Sequence, residues 1–332
     1  MMHKKIQAAQ KGRLFVNPHI IDDKRALKDG LLWAMGKYRD IQEELKVPEG
    51  FEMIFSEEKV CFESPSVTWA GHSTFVLQVD GVVFLTDPVW SKRCSPSQVL
   101  GPKRQHEAPF DIKELGRVDY VLISHNHYDH LDSKSVKKLH ELHPEISWIV
   151  PRGLSPWFHK RKIHKVVELD WWQSHKVPLG SMKLSITAVP AQHFSGRGFF
   201  DRNKSLWSGF VVQMEKKQKL YKRFYFAGDT GYNDKDFKAI GEHFGKMDLS
   251  LIPIGAFAPR AFQSPMHIDP YQAADIHKEV GSSLSVGCHW NTFRLSTEER
   301  FRPIVDLERA KKEKGLQSEA FRVLYPGQTI NW

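Results

Sequence analysis

The chain has 332 residues, 41% hydrophobic and 26% charged, the balance of a folded globular protein rather than a disordered or fibrous one. Lys and Arg number 48 against 39 Asp and Glu, and the formal charge of +9 favours anionic partners such as lipid headgroups or polyanions. Cys61, Cys94 and Cys288 are too few and scattered for a disulfide framework and fit a reducing compartment. No apolar run suits a bilayer crossing, since Leu249 to Ala258 is short and holds Pro253. The first ten residues carry basic side chains with no apolar stretch behind them, so a secretory signal is not expected. A cytoplasmic protein is the expectation, with peripheral membrane contact and a homodimer both left open.

In chain order, residues 1–20 read as a flexible lead. Residues 22–46 read as an amphipathic helix, with Leu27, Leu31, Met35, Tyr38 and Leu45 near helical spacing and Pro48 beyond its end. Together they suggest an N-terminal unit over 1–60 ahead of a catalytic domain over 61–332. Strand patterns follow at 66–69, 73–79 and 82–86, with Asp80-Gly81 as a hairpin turn. The apolar run 118–123 leads into Ser124-His125-Asn126-His127-Tyr128-Asp129-His130-Leu131-Asp132. Further strand patterns at 183–189, 223–227 and 284–288 run into His193, Asp229 and His289. Helix patterns fall at 133–142, 234–244 and 270–280. Strands alternating with helices after a hairpin-rich start suit an α/β architecture of two packed mixed sheets with helices outside.

The histidine string carries the chemistry. Along an extended segment, residues two apart point the same way, so His125 and His127 can grip one metal ion together. Asp129 and His130 then turn toward a second position. Imidazole nitrogen with carboxylate oxygen and no thiolate suits zinc or a similar divalent metal in a catalytic site. A lone histidine after a strand is more often structural, and Gly228-Asp229-Thr230-Gly231 alone signals only a turn. Four such strand ends in one chain form a constellation.

These segments resemble the metallo-β-lactamase-fold hydrolases, and within them the N-acyl-phosphatidylethanolamine-hydrolysing phospholipase D family. The likeness runs through Trp69-Ala70-Gly71-His72, Leu85-Thr86-Asp87-Pro88, Gly101-Pro102-Lys103-Arg104, Asp170-Trp171-Trp172, Phe226-Ala227-Gly228-Asp229 and His267-Ile268-Asp269-Pro270, and spans about residues 65–330. One departure is Met266, where that family usually has Gln before the histidine. The resemblance implies an αββα sandwich and two Zn2+ ions, other divalent metals remaining open. It implies His125, His127 and His193 on one ion, Asp129, His130 and His289 on the other, and Asp229 bridging. Asp129 would also orient the attacking hydroxide. His267 would bind phosphate or protonate the leaving group, against the alternative of a plain histidine before a helix. Asp87 and Asp132 are expected to orient ligand imidazoles; His72 could do the same or be a satisfied core histidine.

The segment 154–165 combines Trp157 and Phe158 with Lys160, Arg161 and Lys162, the chemistry of a membrane contact, against the alternative of a solvated basic face over a buried Trp157. The expected function is phospholipase-D-type cleavage of N-acyl-phosphatidylethanolamine to N-acylethanolamine and phosphatidate. A related metal hydrolase could instead take a lactone, a sugar phosphodiester or RNA. A basic nucleic-acid- or membrane-binding protein with a structural metal fares worst, because structural zinc sites are normally mononuclear and closed.

Overall fold

The computed structural model of the chain describes residues 5–20, 65–198 and 200–332. Cys61 and the helix expected over 22–46 lie outside the described residues. Residues 5–20 are not a loose lead. Ala9–Lys11 (β1) and Leu14–Val16 (β2) pair as a hairpin. Phe15 is buried with Trp171, Ala191, Leu206 and Trp207, and the Ile6 carbonyl accepts from Trp172 Nε1 at 2.9 Å. An aromatic side chain two residues beyond a tight turn gives the segment its anchor, which charge and polarity elsewhere in it conceal.

Ser66–Gly71 (β3), Thr74–Val79 (β4) and Val82–Thr86 (β5) form an antiparallel meander. Asp80 and Gly81 join the last two at φ 50° and 80°, the left-handed pair that matches strand twist in a two-residue hairpin. Tyr120–Leu122 (β6), Ser147–Pro151 (β7) and Val166–Leu169 (β8) then add in parallel. Thr329–Asn331 closes the other edge, giving a seven-stranded sheet. Ser174–Leu179 (β9), Met182–Val189 (β10), Gly209–Lys216 (β11), Lys219–Phe226 (β12), Met247–Pro253 (β13), Ser282–Cys288 (β14) and Phe321–Arg322 (β15) build the second, with its own antiparallel start and parallel finish.

The sheets pack through one apolar core in which Phe84 of β5 meets Phe224 of β12 edge to face at 5.3 Å. Ser133–Leu142 (α1) and Ser155–His159 (α2) cover the outside of the first sheet through Val136, Leu139 and Phe158. Asp236–Phe244 (α3), Pro270–Glu279 (α5) and Arg302–Glu313 (α6) cover the second, and the short Arg260–Gln263 (α4) precedes α5. This is the expected two-sheet sandwich with helices outside. Parallel strands point their carboxyl ends to one side, and the loops after β5, β6, β12 and β14 meet there.

Candidate metal centre

Seven side chains anticipated as ligands converge between the sheet ends. His125, His127 and His193 form one group, with His127 Nδ1 at 2.8 Å from His125 Nε2 and 3.2 Å from His193 Nε2. Asp129, His130 and His289 form a second group, joined by His72. Asp129 Oδ2 lies 3.3 Å from both His130 Nε2 and His289 Nε2. Asp229 reaches both groups: its Oδ2 is 3.1 Å from His130 Nε2, 3.0 Å from His289 Nε2 and 3.8 Å from His193 Nε2.

Hydrogen bonds behind the imidazoles set which nitrogen faces inward. His193 Nδ1 donates to the Met266 carbonyl at 3.0 Å, and His125 Nδ1 lies 2.9 Å from Ser124 Oγ. Their Nε2 lone pairs are thereby left for a ligand role. Asp87 accepts from His130 Nδ1 at 2.6 Å and from Ser124 Oγ and N at 2.5 and 2.7 Å, so it orients His130. Met266 serves His193 through its backbone, so a Met here in place of Gln leaves that hydrogen bond intact. Asn17 Nδ2 donates to the His193 carbonyl at 2.6 Å, tying the N-terminal segment to the same ligand.

The backbone is strained at the site. His72, Asp87 and His289 hold φ of 54°, 31° and 60°, a region that non-glycine residues seldom occupy. Gly228 has φ 62°, and a Cβ there would come within 2.6 Å of Ser124 Cβ. The glycine lets the turn that carries Asp229 touch the residue preceding His125.

Charge completes the picture. Burial opposes protonation of His130 and His289, but the surrounding carboxylates outweigh it, raising His130 well above the usual range and His289 to about 9. Burial likewise disfavours the charged carboxylates, yet His130 foremost holds Asp129 and Asp229 well below theirs. Burial lowers His127 and His267 to about 4 and drives His125 and His193 well down. Four neutral imidazoles thus face a pair of carboxylates that draw positive charge onto their neighbours. Asp229 Oδ1 and His267 Nδ1 are buried with no hydrogen-bond partner. This donor set fits divalent cations.

His267 lies beside both groups and is part-exposed, its ring 5.1 Å from His193 and 5.4 Å from His289, and its Nδ1 3.9 Å from Asp229 Oδ2. His72 is fully buried, with Nε2 3.0 Å from Asp129 Oδ2, so it acts on the site through Asp129. Two expectations fail. Asp132 hydrogen-bonds no ligand imidazole; it caps α1, accepting from Ser135 Oγ at 2.6 Å and from the Lys134, Ser135 and Ser91 amides. Phe158 is wholly buried against Trp148, which removes it from any membrane contact. Trp157 is half-buried with the Arg161 guanidinium stacked 3.6 Å over it, while Lys160 and Lys162 are exposed.

Arg197 had no place in the sequence reading. Its Nη1 donates to the Asn126 and Leu131 carbonyls at 2.8 and 2.7 Å, and its guanidinium lies 3.9 Å from the Tyr128 ring. It clamps the histidine loop from both ends. A cavity of about 530 Å3 beside it is lined by Tyr128, Phe194, Arg197 and Arg202. Phe194 in turn packs 4.4 Å from His127, so the cavity adjoins the ligand groups.

Comparison with known proteins agrees with this geometry. The family described as Beta-lactamase superfamily domain matches residues 83–290. The chain is 42% identical over 239 residues to N-acyl-phosphatidylethanolamine-hydrolyzing phospholipase D 1 of Caenorhabditis elegans, covering 70% of this chain and 66% of that protein. It is 36% identical over 255 residues to the mitochondrial N-acyl-phosphatidylethanolamine-hydrolyzing phospholipase D of Saccharomyces cerevisiae, covering 76% and 53%. The match therefore spans about half to two thirds of these relatives' length. Among solved structures, isothiocyanate hydrolase from Delia radicum gut bacteria superposes with a TM-score of 0.60 at 18% identity, covering 80% of this chain and 99% of that one. Igni18, a metallo hydrolase from Ignicoccus hospitalis, gives 0.56 at 23%, covering 80% and 97%. The last two likenesses establish the fold. Fold, ligand groups and relatives agree that the chain belongs to the metallo-β-lactamase superfamily, in the branch of the N-acyl-phosphatidylethanolamine-hydrolysing phospholipase D proteins.

Proposed function

We propose that this chain is a dinuclear metal-dependent phosphodiesterase that cleaves N-acyl-phosphatidylethanolamine to N-acylethanolamine and phosphatidate, with zinc as the metal. The observation that carries the reading is the pair of ligand groups that Asp229 touches together. His125, His127 and His193 would hold one ion, Asp129, His130 and His289 the other, and Asp229 both. Bound there, divalent ions supply hydroxide near neutral pH by lowering the pKa of water to about 7, and offset phosphate charge. Asp129, whose Oδ2 is fixed by His72, would accept a hydrogen bond from the attacking water and aim it. The water oxygen bonds to phosphorus, the bond from phosphorus to the ethanolamine oxygen breaks, and the departing oxygen takes up a proton. His267, neutral and part-exposed beside both groups, would hydrogen-bond the phosphate or that oxygen.

The test incubates metal-replete protein with N-acyl-phosphatidylethanolamine and, separately, a lactone, a sugar phosphodiester and RNA, and identifies products by mass spectrometry. N-acylethanolamine together with phosphatidate is the expected result. Turnover of soluble substrates alone would assign the chain to a different hydrolase.

A further inference from the structure

Two loops beside the ligand groups carry bare apolar side chains. Val99, Leu100 and Phe200 are 78%, 73% and 89% exposed, more than any other large hydrophobic side chain among the described residues. They do not dangle. Ser97 Oγ accepts from the amides of Val99 and Leu100 at 3.1 and 3.4 Å. Asp201 accepts from the amides of Arg197 and Gly198, the latter at 2.8 Å, which closes the turn that presents Phe200. Both loops border the cavity of about 530 Å3, Pro96 from one side and Phe194, Arg197, Gly198 and Arg202 from the other. Phe194, on its wall, lies 4.4 Å from the His127 ring and 4.9 Å from that of His193.

Cations outnumber carboxylates around these tips. Residues 92–103 contain Lys92, Arg93 and Lys103 and no carboxylate. Residues 194–204 contain Arg197, Arg202 and Lys204 against Asp201 alone, whose oxygens are already engaged by backbone amides. Arg202 is exposed and lies 4.3 Å over the Phe194 ring at the cavity edge. Arg197 and Arg161 share the Trp157 ring, at 5.6 and 3.6 Å, so the basic rim continues into the exposed Lys160 and Lys162. Apolar tips amid cations match the boundary of an anionic bilayer, where rings and aliphatic groups enter and cations meet headgroups.

We propose that the loop over residues 95–101 and the turn over residues 200–202 are a membrane-docking rim, with Leu100, Phe200 and Val99 entering an anionic lipid surface. The metal centre then opens onto the bilayer, a consequence that rests on the lipid-substrate reading above. The surface moves docking from Phe158, which is buried, to the mouth of the cavity, and keeps Lys160, Arg161 and Lys162 as flanking cations.

The test uses vesicles of phosphatidylcholine with phosphatidylserine and no N-acylated lipid, so that its result is independent of catalysis. The metal-loaded chain should co-sediment with these vesicles at low salt. A Leu100→Ser, Phe200→Ser variant with unchanged metal content should bind at least about tenfold more weakly, because burying either side chain is worth more than that factor. Leu100→Trp supplies a second reading, in which brominated lipid chains should quench its added fluorescence. Wild-type binding that survives the double substitution, no wild-type binding, or an unquenched Trp would each overturn the proposal. A dimer that falls to monomer in the double variant, with vesicle binding intact, would assign the rim to a second copy and overturn it too. Docking without N-acyl-phosphatidylethanolamine cleavage would uphold the rim while the substrate reading fell.

Discussion

His72 Nε2 stands 3.0 Å from Asp129 Oδ2, on a left-handed backbone with φ 54° that the flanking strands impose. The contact fixes a carboxylate that must also serve His130 and His289, each 3.3 Å away. Asp129→Asn keeps the shape and removes the charge. Turnover should fall by about a hundredfold or more, since an amide ligates weakly and cannot hold the attacking water. Steady-state kinetics on the metal-replete variant checks this, and near-normal kcat would take Asp129 out of the mechanism.

Purified active protein should carry close to two equivalents of divalent metal. Elemental analysis of protein dialysed without chelator measures it directly. One equivalent at full activity would contradict the pairing of ligand groups through Asp229.

Arg197 should set metal retention from outside the ligand groups. Arg197→Ala leaves the buried Asn126 and Leu131 carbonyls without their donor, at a cost on the order of 2–4 kcal/mol. The histidine loop then loosens, and metal should be lost to a chelator faster than from wild type. Arg197→Lys restores one donor and should recover part of that retention. Equal chelator kinetics in all three proteins would make Arg197 irrelevant to the loop.

Acid should weaken the fold partly through His277, which lies outside the ligand groups. Burial first, then Lys278, lowers it from 6.5 to about 4; its Nδ1 lies 2.8 Å from Ser285 Oγ. Above pH 6.5 the folded and unfolded forms are both neutral there, so the group exerts no pH effect. As pH falls from 6.5 to about 4 the unfolded chain takes the proton and the folded one does not, so stability drains away. The loss is on the order of 2–3 kcal/mol. Denaturant unfolding across this range should show a shallower pH dependence in His277→Gln, which cannot titrate. Parallel curves would exclude His277.

The candidate ligands are legible in the chain because each lies on a short loop that leaves a β-branched or aromatic run, so neighbours in sequence become neighbours in space. The helices at Ser133–Leu142 and Pro270–Glu279 were readable for a similar reason, since Asp132 and Asp269-Pro270 mark their starts locally. Asp132 also shows the limit. A carboxylate before a helix can cap it or reach back to an imidazole, and only the placement of Ser91 and Ser135 decides. Trp157 and Phe158 are adjacent on α2, and aromatic character cannot say which ring turns inward. Arg197 lies far along the chain from the carbonyls it holds, so no local pattern announces it. Likewise the hold of Asn17 on His193 depends on how the first strands dock.

The order in which the chain leaves the ribosome gives the two-sheet division a temporal meaning. The first sheet supplies Asp129 and His130 with His125 and His127, while His193, Asp229 and His289 come from strand ends of the second. A nascent chain exposing only the earlier sheet owns an incomplete set for either ion. The full donor set is therefore assembled late in synthesis, once β14 has joined its sheet and brought His289 beside Asp229. Truncated products that stop before that strand would lack His289 and bind metal poorly.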